Sequence, residues 1–249
     1  MHYYNENDPY TSNWLKKLIA NKIIPDGDVD TRSIKDVCAS DVLGYTQCHF
    51  FAGIAGWSYA LQLAKWPINK PVWTGSCPCQ PFSVQGDQKG FKDDRHLWPE
   101  FFRLIKECNP ATIFGEQVAS PLGKQWLAHV RADLEKVGYA VGAADLCAAS
   151  LGAPHIRQRL YWVGHSVIEG PQRWGLSKDE YSDQWDIKSA GCDVWSTAEW
   201  RVCEDGRSRL VKPGILPMAN GIPERVGRIF AYGNAVVPQL AATFIQAAI

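Results

Sequence analysis

The sequence predicts an α/β fold built on a parallel sheet, and two observations support this prediction. An apolar strand at 46–50 runs into the glycine-rich residues 51–56 and then into a helical pattern. A second apolar strand, ATIFG at 111–115, lies between stretches with helical spacing at 97–105 and 127–137. Strands that alternate with helices and end in glycine or polar residues are typical of parallel sheets. We therefore expect the polar residues at the strand ends to converge on one edge.

The composition is that of an ordinary folded domain. A chain of 249 residues with 46% hydrophobic residues predicts one domain with a small appendage. Its polar, acidic start has no signal peptide and no apolar run approaches membrane-spanning length, so we expect a cytoplasmic protein without membrane contact. Eight cysteines in a chain of this length favour reduced thiols. The formal net charge is +0, so any nucleic-acid role must depend on clustered arginines and a specific pocket.

The first 46 residues form a leader with a pattern of its own. Trp14 and Leu15 begin an apolar stripe on a helix that starts at Thr11 or Ser12. We expect this leader to pack on the main body.

The elements after the second helix follow the same alternation until the pattern ends. Periodicity fails from about residue 165 to 210, which predicts a small irregular lobe. The predicted elements of this half are a strand at 139–147, a loop holding Arg157 and Arg159, a strand at 160–164, and a closing helix at about 238–249.

The stretch VWTGSCPCQPFS, residues 72–83, is the strongest local signal. It begins as an apolar strand, breaks at Gly75, and presents Cys79 in a proline-containing loop that can hold a side chain rigidly. Cys79 can therefore serve as a nucleophile, but it can equally be a small buried residue, or form half of a metal site with Cys77. The stretch alone leaves these alternatives open.

Five blocks together resemble the cytosine-5 DNA methyltransferases. They are FFAGIAG at 50–56, PCQPFS at 78–83, GEQV at 115–118, Arg157-x-Arg159 and GNAVVP at 233–238, in the order that the family has them. The resemblance runs from His49 to the end of the chain. It implies a Rossmann-like methyltransferase sheet with a small target-recognition lobe, in a short member of the family that would suit a phage or prophage.

The resemblance also divides the chain. It implies a leader at 1–46, a catalytic and cofactor-binding domain at 47–164, a target-recognition region at 165–212, and a return segment at 213–249 that completes the catalytic domain.

The catalytic roles implied by the resemblance match the chemistry that methylation of cytosine carbon 5 requires. That carbon is a poor nucleophile, so a thiolate, here Cys79, first adds to carbon 6. Glu116 would donate a proton or hydrogen bond to ring nitrogen 3, provided that burial raises its pKa. Arg159 would bind the cytosine carbonyl oxygen, and Arg157 would steady the loop or a phosphate. Cys77 then becomes a packing residue, and no metal is expected.

S-adenosylmethionine is the cofactor that the resemblance implies. Trp57 matches the family's aromatic that lies on the adenine, although Trp57 can equally be a core residue. The complete set of expected cofactor contacts is Phe51, Ala52, Gly53, Ile54, Gly56, Trp57, Pro78, Leu97 and Asn234.

The partner implied is DNA, expected to be double-stranded with a short recognition sequence. A base inside a duplex must be flipped out before it can react. Gln80, Ser83 and Gln85 would close over the base or fill the gap that it leaves. A few basic side chains would read the sequence or contact phosphate, from among Arg173, Lys188, Arg201, Arg207 and Arg209.

One feature departs from the family pattern. Family members place two further strands between the glycine turn and PCQ, and the acid that holds the cofactor's ribose lies at the end of the first of them. No Asp or Glu occurs from Trp57 to Gly86. We therefore expect a sheet truncated on one flank, with an exposed edge. Either the leader covers this flank and supplies a carboxylate from Asp26, Asp28 or Asp30, or a second copy pairs there to make a homodimer.

Three functions remain compatible with these residues. The leading one is an active DNA cytosine-5 methyltransferase, because both Cys79 and Glu116 are present. The second is a non-catalytic, DNA-binding or base-flipping homologue, which the missing ribose carboxylate favours. The third is a related cytosine-modifying enzyme that uses a different donor.

Overall fold

A computed structural model of the chain describes residues 1–78, 97–153, 156–167, 199–202, 208–211 and 234–248. Seven of its strands form one sheet in the order β2-β1-β3-β4-β5-β7-β6, and helices cover both faces. The strands are β1 His2–Asn5, β2 Gly27–Asp30, β3 Gln47–Phe50, β4 Val72–Gly75, β5 Thr112–Val118, β6 Tyr139–Cys147 and β7 Gln158–Ser166. The helices are α1 Pro9–Ala20, α2 Ala39–Val42, α3 Gly56–Leu63, α4 Trp98–Cys108, α5 Pro121–Lys136 and α6 Pro238–Ala247.

The α/β class predicted from the sequence is confirmed, but the sheet is mixed rather than wholly parallel. Strands β2, β1, β3, β4 and β5 run parallel, whereas β7 is antiparallel to both β5 and β6. The reason is the link between β6 and β7, which contains a short 3-10 turn at Ala148–Leu151 instead of a crossover helix. A parallel pair needs a longer crossover.

The leader is part of the sheet, and the predicted truncation is wrong. Strand β1 lies between β2 and β3, with Tyr3 opposite Asp28 on one side and Cys48 on the other. Strands β1 and β2 thus occupy the flank that lacks the family's usual strands, as the first of the two alternatives expected of the leader. Because β3 is paired on both sides, the edge strand of this flank is β2 rather than β3.

Helix α1 connects these two leader strands and begins earlier than predicted, at Pro9 rather than at Thr11 or Ser12. Asp8 caps it, since its carboxylate accepts a hydrogen bond of 2.7 Å from the Thr11 amide. Proline suits the first helical position because its missing N–H would have no partner there. The helix packs through Leu15, whose full burial contributes about 2 kcal/mol.

The sheet separates two apolar layers. Helices α4 and α5 cover one face, where the fully buried side chains include Phe101, Trp126 and Trp162. Helices α1, α3 and α6 cover the other, where Phe114 and Tyr161 of the sheet meet Trp57, Leu61 and Ile245. The carboxyl ends of β1, β3, β4 and β5 therefore open on one edge between the two layers.

Gly115 fixes how β5 and β7 pack just before that edge. A Cβ atom at this position would lie 2.2 Å from the indole of Trp162, so only glycine fits against the ring. The close approach holds the following residue, Glu116, in a defined place on β5.

A buried polar seam joins the leader to β3. The rings of Tyr4 and His49 stack with centroids 5.0 Å apart, and His2 lies 6.3 Å from His49. His49 is anchored by a hydrogen bond of 2.8 Å between its Nδ1 and Thr74 Oγ1. Burial lowers the pKa of His2 to about 4 and that of His49 to about 3, so both rings are neutral in the folded protein at neutral pH.

The neutral histidines predict loss of stability in acid. In the unfolded state the two histidines, with pKa near 6.5, take up protons that they do not bind in the folded state. Their contribution to the free energy of unfolding is therefore complete above pH 6.5 and falls as the pH drops towards 4 and 3. We expect His49→Gln to flatten the dependence of unfolding free energy on pH by up to about 1.4 kcal/mol per pH unit between pH 6 and 4. Urea denaturation at several pH values measures this.

His129→Gln, the same replacement at an exposed position of α5, provides the matched control. The raised pKa values of Glu6 and Glu116 act in the opposite direction, so the comparison of variant with wild type isolates the histidine. Equal slopes for His49→Gln and wild type would contradict the prediction.

The region expected to recognise the target is described only in part. Strands β8 Glu199–Val202 and β9 Ser208–Val211 form an antiparallel pair in which Arg201 lies opposite Arg209. Within the described residues, no helix is long and apolar enough to span a membrane.

Candidate functional site

The candidate site lies at the carboxyl ends of β3, β4 and β5. Strand β4 ends at Gly75, and the described chain continues to Pro78, one residue before Cys79. Cys77 is 4% exposed and packs in the core, where burial raises the pKa of its thiol. It is therefore a poor nucleophile, as the sequence analysis expected of a packing residue.

Glu116 is a buried carboxyl on β5, the strand next to β4. Its side chain is 9% exposed, and burial raises its pKa, although the charges of Arg159 and Arg157 act in the opposite direction. Arg159 Nε lies 2.9 Å from Glu116 Oε1. The sequence analysis placed Glu116 at the end of a strand and Arg159 in a loop; in the structure both lie within paired strands.

The pairing of β5 with β7 brings these two side chains together. Glu116 lies opposite Tyr161, and Val118 lies opposite Arg159, so the arginine is the diagonal neighbour of the carboxyl on the same face. A rigid sheet thus holds a buried acid beside a partly exposed cation. This arrangement can donate two hydrogen bonds to adjacent polar atoms of one planar ring.

Arg157 belongs to the same charge cluster but binds in another direction. Its Nη2 donates a hydrogen bond of 2.8 Å to the carbonyl oxygen of Ala235, one residue after Asn234. Burial and the nearby charge of Arg159 lower its pKa, while Glu116 raises it. Arg157 therefore connects the loop before β7 to the segment that leads into α6.

The glycine turn after β3 has a backbone that few residue types tolerate. Phe51, Gly53 and Ala55 all have positive φ, at 51°, 56° and 66°. Ala55, which stands where the family usually has glycine, adopts this left-handed conformation at the start of α3. Gly56 approaches Val236 so closely that an added Cβ would lie 3.1 Å from it. The turn is thus shaped for close approach of a ligand on one side and packed on the other.

Glu6 is a site residue that the sequence analysis did not identify. It follows β1 directly, beside the end of β3, and its Oε2 accepts a hydrogen bond of 2.9 Å from the amide of Gly53. The Asp8 amide donates to its Oε1 at 2.9 Å, and burial raises its pKa. The only sequence signal for it is the run of four residues, HYYN, before an acid, which is too short to show a strand period.

The three aspartates proposed to replace the missing carboxylate lie farther from the turn. Asp26 precedes β2, at the amino edge of the sheet. Asp28 accepts a hydrogen bond from Tyr45, and Asp30 pairs with Arg32 at 2.6 Å. Both belong to β2, which is separated from β3 by β1.

For Trp57 the sequence left two alternatives, a cofactor contact and a core residue, and its packing favours the core residue. It is 5% exposed, its indole N–H donates to Ser76 Oγ at 2.9 Å, and its ring stacks on Phe114. A ring packed in this way has no free face for an adenine. We therefore treat Trp57 as a core residue whose hydrogen bond supports the chain leading to Cys79.

The other predicted cofactor residues differ in exposure. Phe51, Ala52, Gly53 and Ile54 are partly exposed on the turn, Pro78 and Asn234 are exposed, and Leu97 is partly buried against the core. A cavity of about 690 Å³ opens beside two of the predicted residues, Ile54 and Gly56. Its lining includes Ile54, Gly56, Arg157, Arg159, Val236 and Pro238, with Trp14 and Leu18 of α1 forming an apolar wall.

Several predicted residues lie outside the described part of the chain. These are Cys79, Gln80, Ser83, Gln85, Arg173, Lys188 and Arg207; for Arg201 and Arg209 only the backbone pairing is described.

A glycine turn, a buried Glu–Arg pair and a strand that leads towards a cysteine thus lie on one edge of the sheet. The chain belongs to the C-5 cytosine-specific DNA methylase family, whose model matches residues 65–200, more than half of it. The matched range contains Cys79, Glu116, Arg157 and Arg159. The resemblance seen in the sequence is thereby confirmed.

Curated relatives are similar over part of their length. The chain is 37% identical over 110 residues to the type II methyltransferase M.AplI of Arthrospira platensis, covering 43% of this chain and 32% of the relative. It is 36% identical over 90 residues to M.HhaI of Haemophilus parahaemolyticus, covering 34% and 28%. The aligned part thus spans about a third of these relatives.

Solved structures are more distant in sequence. A DNMT2 mutant of Spodoptera frugiperda is 16% identical, with a TM-score of 0.45 over 70% of this chain and 44% of that one. A prophage-encoded, putative DNA modification methyltransferase of E. coli is 19% identical, with a TM-score of 0.42 over 66% and 40%.

Proposed function

We propose that the protein is a DNA cytosine-5 methyltransferase that forms a covalent adduct between Cys79 and carbon 6 of a flipped cytosine. The observation that supports this most is the buried Glu116 held 2.9 Å from Arg159, one strand away from the strand that leads to Cys79. Family membership supports the same chemistry.

The proposed reaction uses each of these groups at a different ring atom. The Cys79 thiolate adds to carbon 6, and the electron pair displaced from the carbon 5–carbon 6 bond is delocalised towards nitrogen 3. The protonated Glu116 donates a hydrogen bond or proton there, and Arg159 donates to the carbonyl oxygen at carbon 2. Carbon 5 would then take the methyl group from a sulfonium donor, whose methyl carbon–sulfur bond breaks to leave a neutral thioether. Loss of the carbon 5 proton to solvent, return of any nitrogen 3 proton to Glu116 and cleavage of the carbon 6–sulfur bond would release the Cys79 thiolate and restore the aromatic ring.

In the enzyme without DNA, Glu116 can become protonated because two effects on its pKa oppose each other. Burial favours the neutral acid, while Arg159 favours the carboxylate. When a cytosine carbonyl accepts hydrogen bonds from Arg159, the arginine stabilises the Glu116 carboxylate less, and the neutral form of Glu116 is favoured.

We propose S-adenosylmethionine as the methyl donor, bound at the glycine turn. When bound, it supplies an electrophilic methyl group on sulfur. The positive φ values of Phe51, Gly53 and Ala55 open the backbone on this side, and a cavity of about 690 Å³ adjoins the turn at Ile54, Ala55 and Gly56. Phe51, Ala52, Gly53, Ile54, Gly56, Pro78, Leu97 and Asn234 remain its proposed contacts.

Glu6 supplies the carboxylate that the sequence lacked between the glycine turn and PCQ. It follows the strand beside β3 and already lies 2.9 Å from the turn amide of Gly53, so it can accept hydrogen bonds from vicinal ribose hydroxyls at the same place. The missing carboxylate was the reason for weighing a non-catalytic homologue, and Glu6 removes that reason.

Replacing Glu6 should therefore weaken cofactor binding selectively. We expect Glu6→Gln to raise the Kd for S-adenosylhomocysteine about 10- to 100-fold, since charge-assisted hydrogen bonds contribute roughly 1.5–3 kcal/mol. The variant should also lose discrimination against the 2′-deoxyribose analogue. Isothermal titration calorimetry measures both.

Asp26→Asn provides the control, because Asp26 is exposed at the opposite edge of the sheet. An unchanged preference for the ribose form in Glu6→Gln would show that Glu6 supports only the Gly53 backbone.

DNA is the proposed substrate, in double-stranded form and with a short recognition sequence. The test is to express the protein in cells whose own cytosine methyltransferases have been deleted and to map 5-methylcytosine across their DNA. We expect methylation at one short recurring sequence. Unmethylated DNA with intact S-adenosylhomocysteine binding would support the non-catalytic alternative instead, and unmethylated DNA without such binding would support another donor.

A further inference from the structure

We infer that Arg157 is a positioning residue that couples the cofactor site to the base-binding residues, an inference that rests on the proposed function. Its Nη2 donates 2.8 Å to the carbonyl of Ala235, which lies 78 residues away in the chain. Ala235 in turn lies between Asn234, a proposed cofactor contact, and Val236.

The linkage continues from Val236 to the glycine turn without a gap. An added Cβ at Gly56 would lie 3.1 Å from both the Cβ and the carbonyl oxygen of Val236, so the two segments are in close van der Waals contact. Val236 is 7% exposed and belongs to the same apolar cluster as Trp57 of α3. A shift of the turn must therefore displace Val236 and, with it, the Ala235 carbonyl.

On the other side, Arg157 acts on the base-binding pair. It shares an electrostatic cluster with Arg159 and Glu116, and its backbone carbonyl accepts a hydrogen bond of 3.0 Å from Ala148. It also lines the same cavity as Arg159 and Gly56. Movement of Arg157 changes both the position of the chain entering β7 and the charge near Glu116.

Ligand binding at the turn should thus stabilise the arrangement of Arg157, Arg159 and Glu116. Because coupling between two sites is reciprocal, a base engaged by Arg159 and Glu116 should strengthen cofactor binding by the same factor. We expect this factor to be about five- to tenfold. The continuous contacts from Arg157 through Ala235 to Val236 provide the physical connection that such coupling needs.

Hydrogen–deuterium exchange with S-adenosylhomocysteine tests the inference without DNA. In the wild type, the ligand should slow exchange at residues 50–57 and, about fivefold or more, at the Ala148 amide and at 156–161. In Arg157→Met the protection of residues 50–57 should remain, and the protection of the Ala148 amide and of residues 156–161 should disappear. Arg157→Lys, which keeps the charge but not the planar donor group, should give an intermediate value.

Arg131→Met is the matched control for the loss of an arginine, since Arg131 lies exposed on α5 and pairs with Glu135. Circular dichroism verifies that each variant is folded. If Arg157→Met does not fold, the protection at 156–161 is compared between wild type and Arg157→Lys. Equal protection at 156–161 in wild type and both Arg157 variants overturns the coupling, as does protection confined to 50–57 in the wild type. No protection at 50–57 overturns the proposed cofactor site and the coupling with it.

Discussion

Replacing Cys79 by serine should abolish methyl transfer, lowering kcat by roughly 10⁴-fold or more. A serine hydroxyl is a much weaker acid than a thiol, so it provides almost no anion to add to carbon 6 at neutral pH. DNA carrying 5-fluorocytosine distinguishes loss of the nucleophile from loss of binding. Fluorine cannot leave carbon 5 as a proton does, so the wild-type adduct should persist as a band that survives denaturation, whereas Cys79→Ser should form none.

Cys77 offers a matched control two residues away. Its thiol is buried, with a raised pKa, so Cys77→Ala should trap 5-fluorocytosine DNA at a rate within a few-fold of wild type while losing some stability. An adduct formed by Cys79→Ser but not by Cys77→Ala would transfer the nucleophilic role to Cys77 and contradict the proposed function.

Glu116→Gln should lower kcat by about 10²–10⁴-fold with little change in S-adenosylhomocysteine affinity. Glutamine fills the same space in β5 and can donate a hydrogen bond to nitrogen 3, but it cannot transfer a proton. The affinity should persist because Glu116 lies among Arg159 and Arg157 rather than on the glycine turn. Single-turnover transfer of a labelled methyl group measures the rate constant of methyl transfer separately from product release.

The pH dependence provides an independent readout of the same residue. Since burial raises the pKa of Glu116, the wild-type rate should fall as pH rises through that value, and the fall should be absent in Glu116→Gln. Glu107→Gln, an exposed carboxyl change on α4, should leave rate and profile unaltered. If Glu116→Gln kept the wild-type profile, the fall in rate with rising pH would belong to another group.

The parts of the fold that follow local patterns were predictable from the sequence. The strand at 111–115 could be predicted because every side chain in ATIFG is apolar or small, and the strand at 46–50 because Cys48 and Phe50 alternate and lead directly into a glycine turn. The closing helix begins at Pro238, as predicted, because proline is tolerated at the first helical position. Where the pattern was weak, prediction failed. Arg159 was expected in a loop because Gln158 and Arg159 carry no strand signal, yet Arg159 pairs with both β5 and β6, and Gln158 pairs with β6.

Trp57 shows a second limit of prediction. Its position in the glycine block matches a cofactor contact, and its alternative as a core residue was recognised. Only the packing of Phe114 against its ring and the hydrogen bond to Ser76 decide between them, since both partners are distant in sequence.

The sequence by itself determined the chemical groups and their order: a cysteine after a strand, a glutamate at the end of another, two arginines and a glycine turn. Tertiary structure decided which carboxylate stands beside that turn. The sequence directed attention to the aspartates of residues 26–30, but β1 pairs with β3 and places Glu6 there instead. The physical reason is that partners in a parallel sheet are set by long-range hydrogen bonds and burial of both faces, which a strand of four residues cannot reveal in its local pattern.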